Sequence, residues 1–204
     1  VKESGMTARA SHLLLVLAAF AAGLAIFLAV FLYATGQFGG NRSSGASAIG
    51  GPFQLVDQDG KRVTDQDLKG RPSLVFFGYT RCPDVCPTTL FDVSEVMRAL
   101  GPDADRAGAY FITVDPERDT PAAMKDYLSS FDPHLRALTG DRPAIDAVEK
   151  AYRVYAKKVP TESGDYSMDH TALVYLMDKQ GRFVAPFSLK RKPEEAAADL
   201  RRYM

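Results

Sequence analysis

Leu13 to Tyr33 is a run of 21 residues without one charged side chain. As a helix it would be about 31 Å long, enough to cross the hydrocarbon core of a bilayer. A helix apolar on every side is hard to cover in a small soluble domain. The run therefore predicts a transmembrane helix over residues 13–33, preceded by a short cytoplasmic N-terminus at residues 1–12. The alternative is a cleaved secretory signal, for which Ala46-Ser47-Ala48 has the right small-residue spacing. That triplet lies well past the apolar run, and the run exceeds a signal core, so an uncleaved anchor is expected. Lys2 and Arg9 precede the span and only Arg42 closely follows it. This bias places the bulk of the chain on the far side of the membrane from the cytoplasm.

Gly36 to Gly51 is dominated by Gly and Ser. With almost nothing to bury, residues 34–51 read as a flexible linker. Residues 52–204 are then left as one folded domain, and a domain of this size buries about 70% of its unfolded surface without disulfide staples. Lys plus Arg and Asp plus Glu each number 25, so the formal net charge is zero. No basic excess is available to track phosphates, and nucleic acid is not expected as a partner. Two cysteines exclude a multi-disulfide scaffold and an all-cysteine zinc site.

Within the domain, Phe53, Leu55 and Val63 flank the turn Asp57-Gln58-Asp59-Gly60, which predicts a short hairpin. Ser73–Tyr79 and Ala109–Val114 are continuous apolar runs, as expected for strands covered on both faces. Between them Leu90, Val93, Met97 and Leu100 recur at helical spacing, giving a β-α-β crossover. Helices are predicted after Thr120-Pro121, with Met124, Leu128 and Phe131 inward, and after Asp141, with Ile145, Val148, Tyr152 and Tyr155 inward. Thr171–Met177 and Arg182–Phe187 read as an antiparallel pair, and Pro193–Tyr203 as a closing helix. The expected order, β-β-β-α-β-α-α-β-β-α, is an α/β, thioredoxin-like arrangement. Ligands of such sheets gather beyond the carboxyl ends of the parallel strands.

The loop after Ser73–Tyr79 lies at such an end and holds both cysteines, in Cys82-Pro83-Asp84-Val85-Cys86-Pro87. Four residues apart, Cys82 and Cys86 share one helix face or meet across a tight loop. A helix N-terminus beside them is expected to lower thiol pKa. A structural disulfide here would contribute only roughly 2 kcal/mol, because the loop it closes is short. The pair is therefore read as functional, for holding metal, exchanging disulfides, or both.

Of three histidines, His12 abuts the apolar span and His134 follows the turn Asp132-Pro133, where a solvated side chain is expected. His170, in Ser167-Met168-Asp169-His170-Thr171, stands at the start of the third sheet strand. In a thioredoxin-like sheet that position faces the cysteine loop, where thioredoxins place a cis-proline. Two sulfurs and one imidazole make a soft donor set that selects Cu(I), while imidazole suits both copper oxidation states.

These motifs resemble the SCO/SenC family of membrane-anchored copper chaperones. The resemblance rests on Cys82–Pro87, Val114-Asp115-Pro116-Glu117-Arg118-Asp119-Thr120-Pro121, Leu138-Thr139-Gly140, Tyr152-Arg153-Val154-Tyr155 and Asp165–Thr171, in order over about Phe53 to Tyr203. It implies a thioredoxin-like fold and one copper, Cu(I) or Cu(II), bound by Cys82, Cys86 and His170. It also implies delivery to the binuclear copper centre on cytochrome c oxidase subunit II. Reduced thiols would require a separate thiol reductant, and loading a copper donor. Asp115 and Asp169 are expected close behind the ligands, while Asp119 or Thr120 reads as a helix N-cap. The alternative function is a thiol-disulfide oxidoreductase cycling a Cys82–Cys86 disulfide, keeping a partner's copper-binding cysteines reduced. The expected location is a bacterial inner membrane with the domain in the periplasm, or else a mitochondrial inner membrane.

Overall fold

The computed structural model describes residues 17–31, 49–162 and 164–204. The chain divides into two units, Val1–Gly45 and Ala46–Met204. In the first, residues 17–31 form helix α1, with exposed side chains. Among the described residues no helix is long and apolar enough to cross a membrane. The ends of the expected span, 13–16 and 32–33, lie outside the described residues, as does the expected linker up to residue 48.

The second unit is a mixed α/β fold built on a seven-stranded sheet. Its strands are β1 (Gln54–Asp57), β2 (Arg62–Thr64), β3 (Ser73–Gly78), β4 (Gly108–Thr113), β5 (Leu135–Thr139), β8 (Val174–Met177) and β9 (Phe183–Pro186). They lie in the order β2-β1-β5-β4-β3-β8-β9. β3 pairs parallel with β4 and β4 with β5, while β8 runs antiparallel beside β3. Every residue of β3 and β4 is buried, as their unbroken apolar runs require. The helices are α2 (Val85–Leu100), α3 (Pro121–Leu128), α4 (Arg142–Tyr152) and α5 (Pro193–Arg201).

The two sheet faces are covered differently. On one, Phe76 of β3 stacks on Phe111 of β4, and Tyr127 of α3 packs against Phe111. On the other, Tyr152 of α4 meets Phe77 and Tyr175. Helix α2 buries a stripe at Cys86, Leu90, Val93, Met97 and Leu100. Steps of 4, 3, 4 and 3 residues keep these side chains on one face. Cys86 is thus the first member of a core stripe, whereas Cys82 precedes the helix.

Four parts of the chain differ from expectation, the first being α3, which ends at Leu128 and leaves Phe131 beyond the helix. β5 is an additional parallel strand between α3 and α4, too short to stand out from its flanking helices. Residues 156–170, to which the sequence assigns no element, carry β6 (Ala156–Pro160) and β7 (Tyr166–His170), a separate two-stranded antiparallel sheet. β6 is nearly all exposed and lacks the alternating apolar pattern by which strands are recognised. Finally, α4 ends at Tyr152, where Arg153 turns the backbone left-handed at φ 55°, so Tyr155 lies beyond the helix and is 54% exposed.

Candidate metal centre

The cysteines are set by the end of β3. The chain turns after Tyr79, where the Cys82 N–H donates to the Tyr79 carbonyl at 3.2 Å. The Cys86 N–H, in the first turn of α2, donates to Cys82 Sγ at 3.3 Å. Both cysteines are free, Cys82 half-buried and Cys86 fully buried. The seat of Cys86 depends on Gly78. A Cβ at that position would stand 2.7 Å from Cys86 Sγ and 2.8 Å from the Phe111 ring. A glycine closing an apolar strand is the sequence sign of such an approach, but only the fold shows that the approaching atom is a sulfur.

Asp119 holds the loop from behind. It is fully buried, and its carboxylate accepts the Thr80 hydroxyl at 2.6 Å, the Thr80 N–H at 3.1 Å and the Thr113 hydroxyl at 2.6 Å. Burial pushes this carboxyl upward in pKa, while the hydroxyls and the N–H act against that. Asp119 therefore ties the segment leading to Cys82 onto β4. It is Thr120 that caps α3, accepting the Ala123 N–H at 3.3 Å.

His170 arrives from the other side, at the end of β7. This corrects its expected position: it ends the separate hairpin instead of beginning the strand beside β3. Its Nδ1 lies 3.1 Å from the Thr171 carbonyl, to which it donates as the Nδ1–H tautomer. That leaves the Nε2 lone pair directed at the cysteines, and Nε2 lies 3.6 Å from Cys86 Sγ. The ring packs edge-on against Tyr79 and Phe76, at centroid distances of 5.8 and 6.4 Å. The donor atoms of Cys82, Cys86 and His170 all lie within 4.8 Å of one another.

These spacings suit a metal ion. With bonds of about 2.3 Å to sulfur and about 2.0 Å to nitrogen, a trigonal arrangement needs an S···N edge of about 3.7 Å. The observed edge is within a tenth of an ångström or so of that. The expected lowering of thiol pKa is not seen at Cys86. Burial pushes this thiol well above its ordinary range, and the neighbouring Cys82 side chain adds to the effect against a backbone hydrogen bond from Tyr79. Desolvation outweighs the helix terminus, so the metal-free site keeps this sulfur protonated.

Among the described residues, the cluster of candidate donor atoms holds Cys82, Cys86 and His170 and none of the other expected residues. The buried Asp115 carboxylate accepts from Arg118 Nε and from the Tyr166 hydroxyl, the latter at 2.9 Å. Asp169 is exposed, on the face of β7 opposite Met168 and His170. Met168 is buried in the core. His134 is half-buried rather than solvated, with Nδ1 2.7 Å from Asp132 and Nε2 3.4 Å from Asp105.

A family model described as SCO1/SenC matches residues 41–204. An SCO2-like protein of Rickettsia conorii is 39% identical over 155 residues, 75% of this chain and 76% of that protein. The mitochondrial SCO1 homolog of Homo sapiens is 40% identical over 169 residues, 80% of this chain and 55% of that one. Among solved structures, Bradyrhizobium japonicum ScoI with copper bound is 72% identical. It superposes with a TM-score of 0.75 over 76% of this chain and 99% of that one.

Proposed function

The chain belongs to the SCO1/SenC family, and from that premise we propose that it is a copper chaperone that loads copper on Cys82, Cys86 and His170 and delivers it to cytochrome c oxidase subunit II. The Sco family is one of cytochrome c oxidase assembly proteins, and a relative that is 72% identical has been solved with copper bound. The observation that carries the reading is the meeting of Cys86 Sγ and His170 Nε2 at 3.6 Å, 84 residues apart in sequence.

The donor set favours Cu(I) as cargo, because thiolates are soft ligands. Binding as a thiolate requires the buried Cys86 to give up its proton. The imidazole contributes its Nε2 lone pair without losing a proton, since Nδ1–H stays on the Thr171 carbonyl. Cys82 and His170 are half-buried and Cys86 is buried. An acceptor therefore reaches the cargo from the side of Cys82 and His170, and Cys86 is the last ligand to be exchanged. Residues 13–33 serve in this reading as a membrane anchor and 34–51 as its tether. They hold the domain in the periplasm of a bacterium; the relatives include both bacterial and mitochondrial proteins.

A second reading, thiol-disulfide exchange, draws on the two adjacent free thiols. The more exposed Cys82 would attack a partner's disulfide, forming a mixed disulfide and expelling one partner thiolate. Cys86 would then displace the second, leaving the partner a dithiol and this chain a disulfide. A reductant must restore the pair before copper can bind, because a disulfide offers no thiolates.

The test is a Cu(I) titration of the purified chain, reduced and oxidised, with Cys82, Cys86 and His170 replaced singly. One equivalent should bind the reduced wild type, and the oxidised form and each variant should bind more weakly. Equal binding by the oxidised protein would defeat the three-ligand reading.

A further inference from the structure

The hairpin β6–β7 carries His170 but has little of its own to hold it in place. A two-stranded ribbon is at best marginally stable in water. β6 is exposed along nearly its whole length, and β7 buries only Met168. At the hairpin's base the Thr171 N–H donates to the Tyr155 carbonyl at 2.9 Å, and the Tyr155 N–H to the Thr171 hydroxyl at 3.0 Å. The opposite end, around Tyr166, is tied down by Arg81 on Asp165 at 3.3 Å, by Glu117 on Lys158, and by one arginine side chain of the β4–α3 loop that reaches the Tyr166 backbone.

That side chain is Arg118, which is 12% exposed. Its Nη1 donates to the Tyr166 carbonyl at 2.9 Å and pairs with Asp165 at 3.3 Å. The guanidinium lies 3.7 Å from the centroid of the Tyr166 ring, a cation–π contact. Asp115 completes the arrangement by accepting from both Arg118 Nε and the Tyr166 hydroxyl. Arg118 Nη2 is buried without a hydrogen-bond partner among the described residues. The fold thus leaves one guanidinium nitrogen unsatisfied while Nη1 grips the hairpin and Nε holds Asp115, a cost that a merely solvated arginine would avoid. Tyr166 and His170 lie four residues apart on the same face of β7. Holding Tyr166 down therefore presses the imidazole onto Tyr79 and toward the sulfurs.

We propose that Arg118 is a positioning residue for copper binding: by clamping Tyr166 to the β4–α3 loop through Asp115, it holds the His170 hairpin closed over the cysteines. The proposal rests on the assignment of His170 as a ligand. A lysine at this position keeps a positive charge but loses the fork that grips Asp115 and the Tyr166 carbonyl together.

The test places Arg118→Met and Arg118→Lys in the wild-type chain and in His170→Ala, with Tyr166→Leu as a second route to opening the clamp. Cu(I) affinity is read by competition with a chromophoric chelator. Hydrogen–deuterium exchange of the metal-free chain compares residues 164–170 with β3 and β4. Arg118→Met should weaken Cu(I) binding by about tenfold or more, in the range typical of residues that orient metal ligands. Arg118→Lys should fall between that and wild type. Neither should change affinity by more than about twofold in the His170→Ala background, where the clamp has no ligand left to position. Exchange should quicken in the hairpin with β3 and β4 unchanged, and Tyr166→Leu should reproduce the pattern.

Wild-type affinity in Arg118→Met, an equal loss with and without His170, or unaltered hairpin exchange would each overturn the clamp. If His170→Ala itself binds copper as tightly as wild type, the ligand assignment fails, and this inference with it. Loss in His170→Ala alongside wild-type affinity in Arg118→Met breaks the clamp alone.

Discussion

Cys86 Sγ and His170 Nε2 end 3.6 Å apart, yet regions of opposite character hold them. The sulfur belongs to the core. It opens the buried stripe of α2, lies against Gly78 at the end of a fully buried strand, and follows a loop tied down by the buried Asp119. The imidazole stands on a two-stranded ribbon, exposed along β6, that is attached by the buried Met168 and a few polar contacts. A rigid sulfur seat conserves the soft donors, and a ribbon supplies a ligand that can be withdrawn with little disturbance of the core. Such a division suits a protein that must release its cargo as well as bind it.

The largest expected effect falls on the rigid side. Cys86→Ser should abolish stoichiometric Cu(I) binding, as measured by chelator competition, since a hydroxyl is a poor ligand for a soft ion. Retained binding would mean that the core sulfur is not a ligand. His170→Ala should do less than Cys86→Ser, leaving a two-sulfur site, but should weaken Cu(I) by more than Arg118→Met does. If its loss equals that of Cys86→Ser, the division into seat and withdrawable ligand disappears.

Gly78→Ala comes next. The added methyl must displace Cys86 Sγ or the Phe111 ring, and overpacking of this kind costs about 1–3 kcal/mol. The denaturation midpoint should fall and Cu(I) binding should weaken together. A stable variant with wild-type affinity would show that the seat yields easily.

The smallest effect concerns acid stability, at the turn between β1 and β2. Burial raises the Asp57 carboxyl, but the Lys61 N–H, Arg136 and the Asp59 N–H outweigh it and hold the pKa below the ordinary value. The folded state thus favours the ionised form. This stability is present above the ordinary carboxylate pKa and is lost as pH falls through the lower folded one. Asp57→Asn should therefore lower the midpoint near neutral pH and reduce the loss between neutral and acid pH. An unchanged acid limb would remove Asp57 from the account.

The same contrast explains what could be read in advance. Buried elements declare themselves by apolar runs and helical spacing, so β3, β4, the stripe of α2 and the β1–β2 hairpin were all legible. So were the cysteine pair and His170, because their residue types have few other uses together. The ribbon was not. Lys157 and Lys158 give β6 no apolar face, and strands without one leave no period to detect. Asp119 was legible only as a helix cap, because its true partners Thr80 and Thr113 lie on other strand ends. The lowered thiol pKa expected from a helix terminus failed at Cys86 because depth of burial is a tertiary quantity. Residues 17–31 are helical, and the anchoring of the chain through residues 13–33 stays a proposal.

The most direct measurement is X-ray absorption spectroscopy of the reduced chain loaded with one equivalent of Cu(I), beside the same chain carrying His170→Ala. Two sulfur neighbours and one nitrogen are predicted, with the nitrogen absent from the variant. A wild-type spectrum with sulfur neighbours alone, or a nitrogen that survives His170→Ala, would contradict the convergence of imidazole and thiols on one ion.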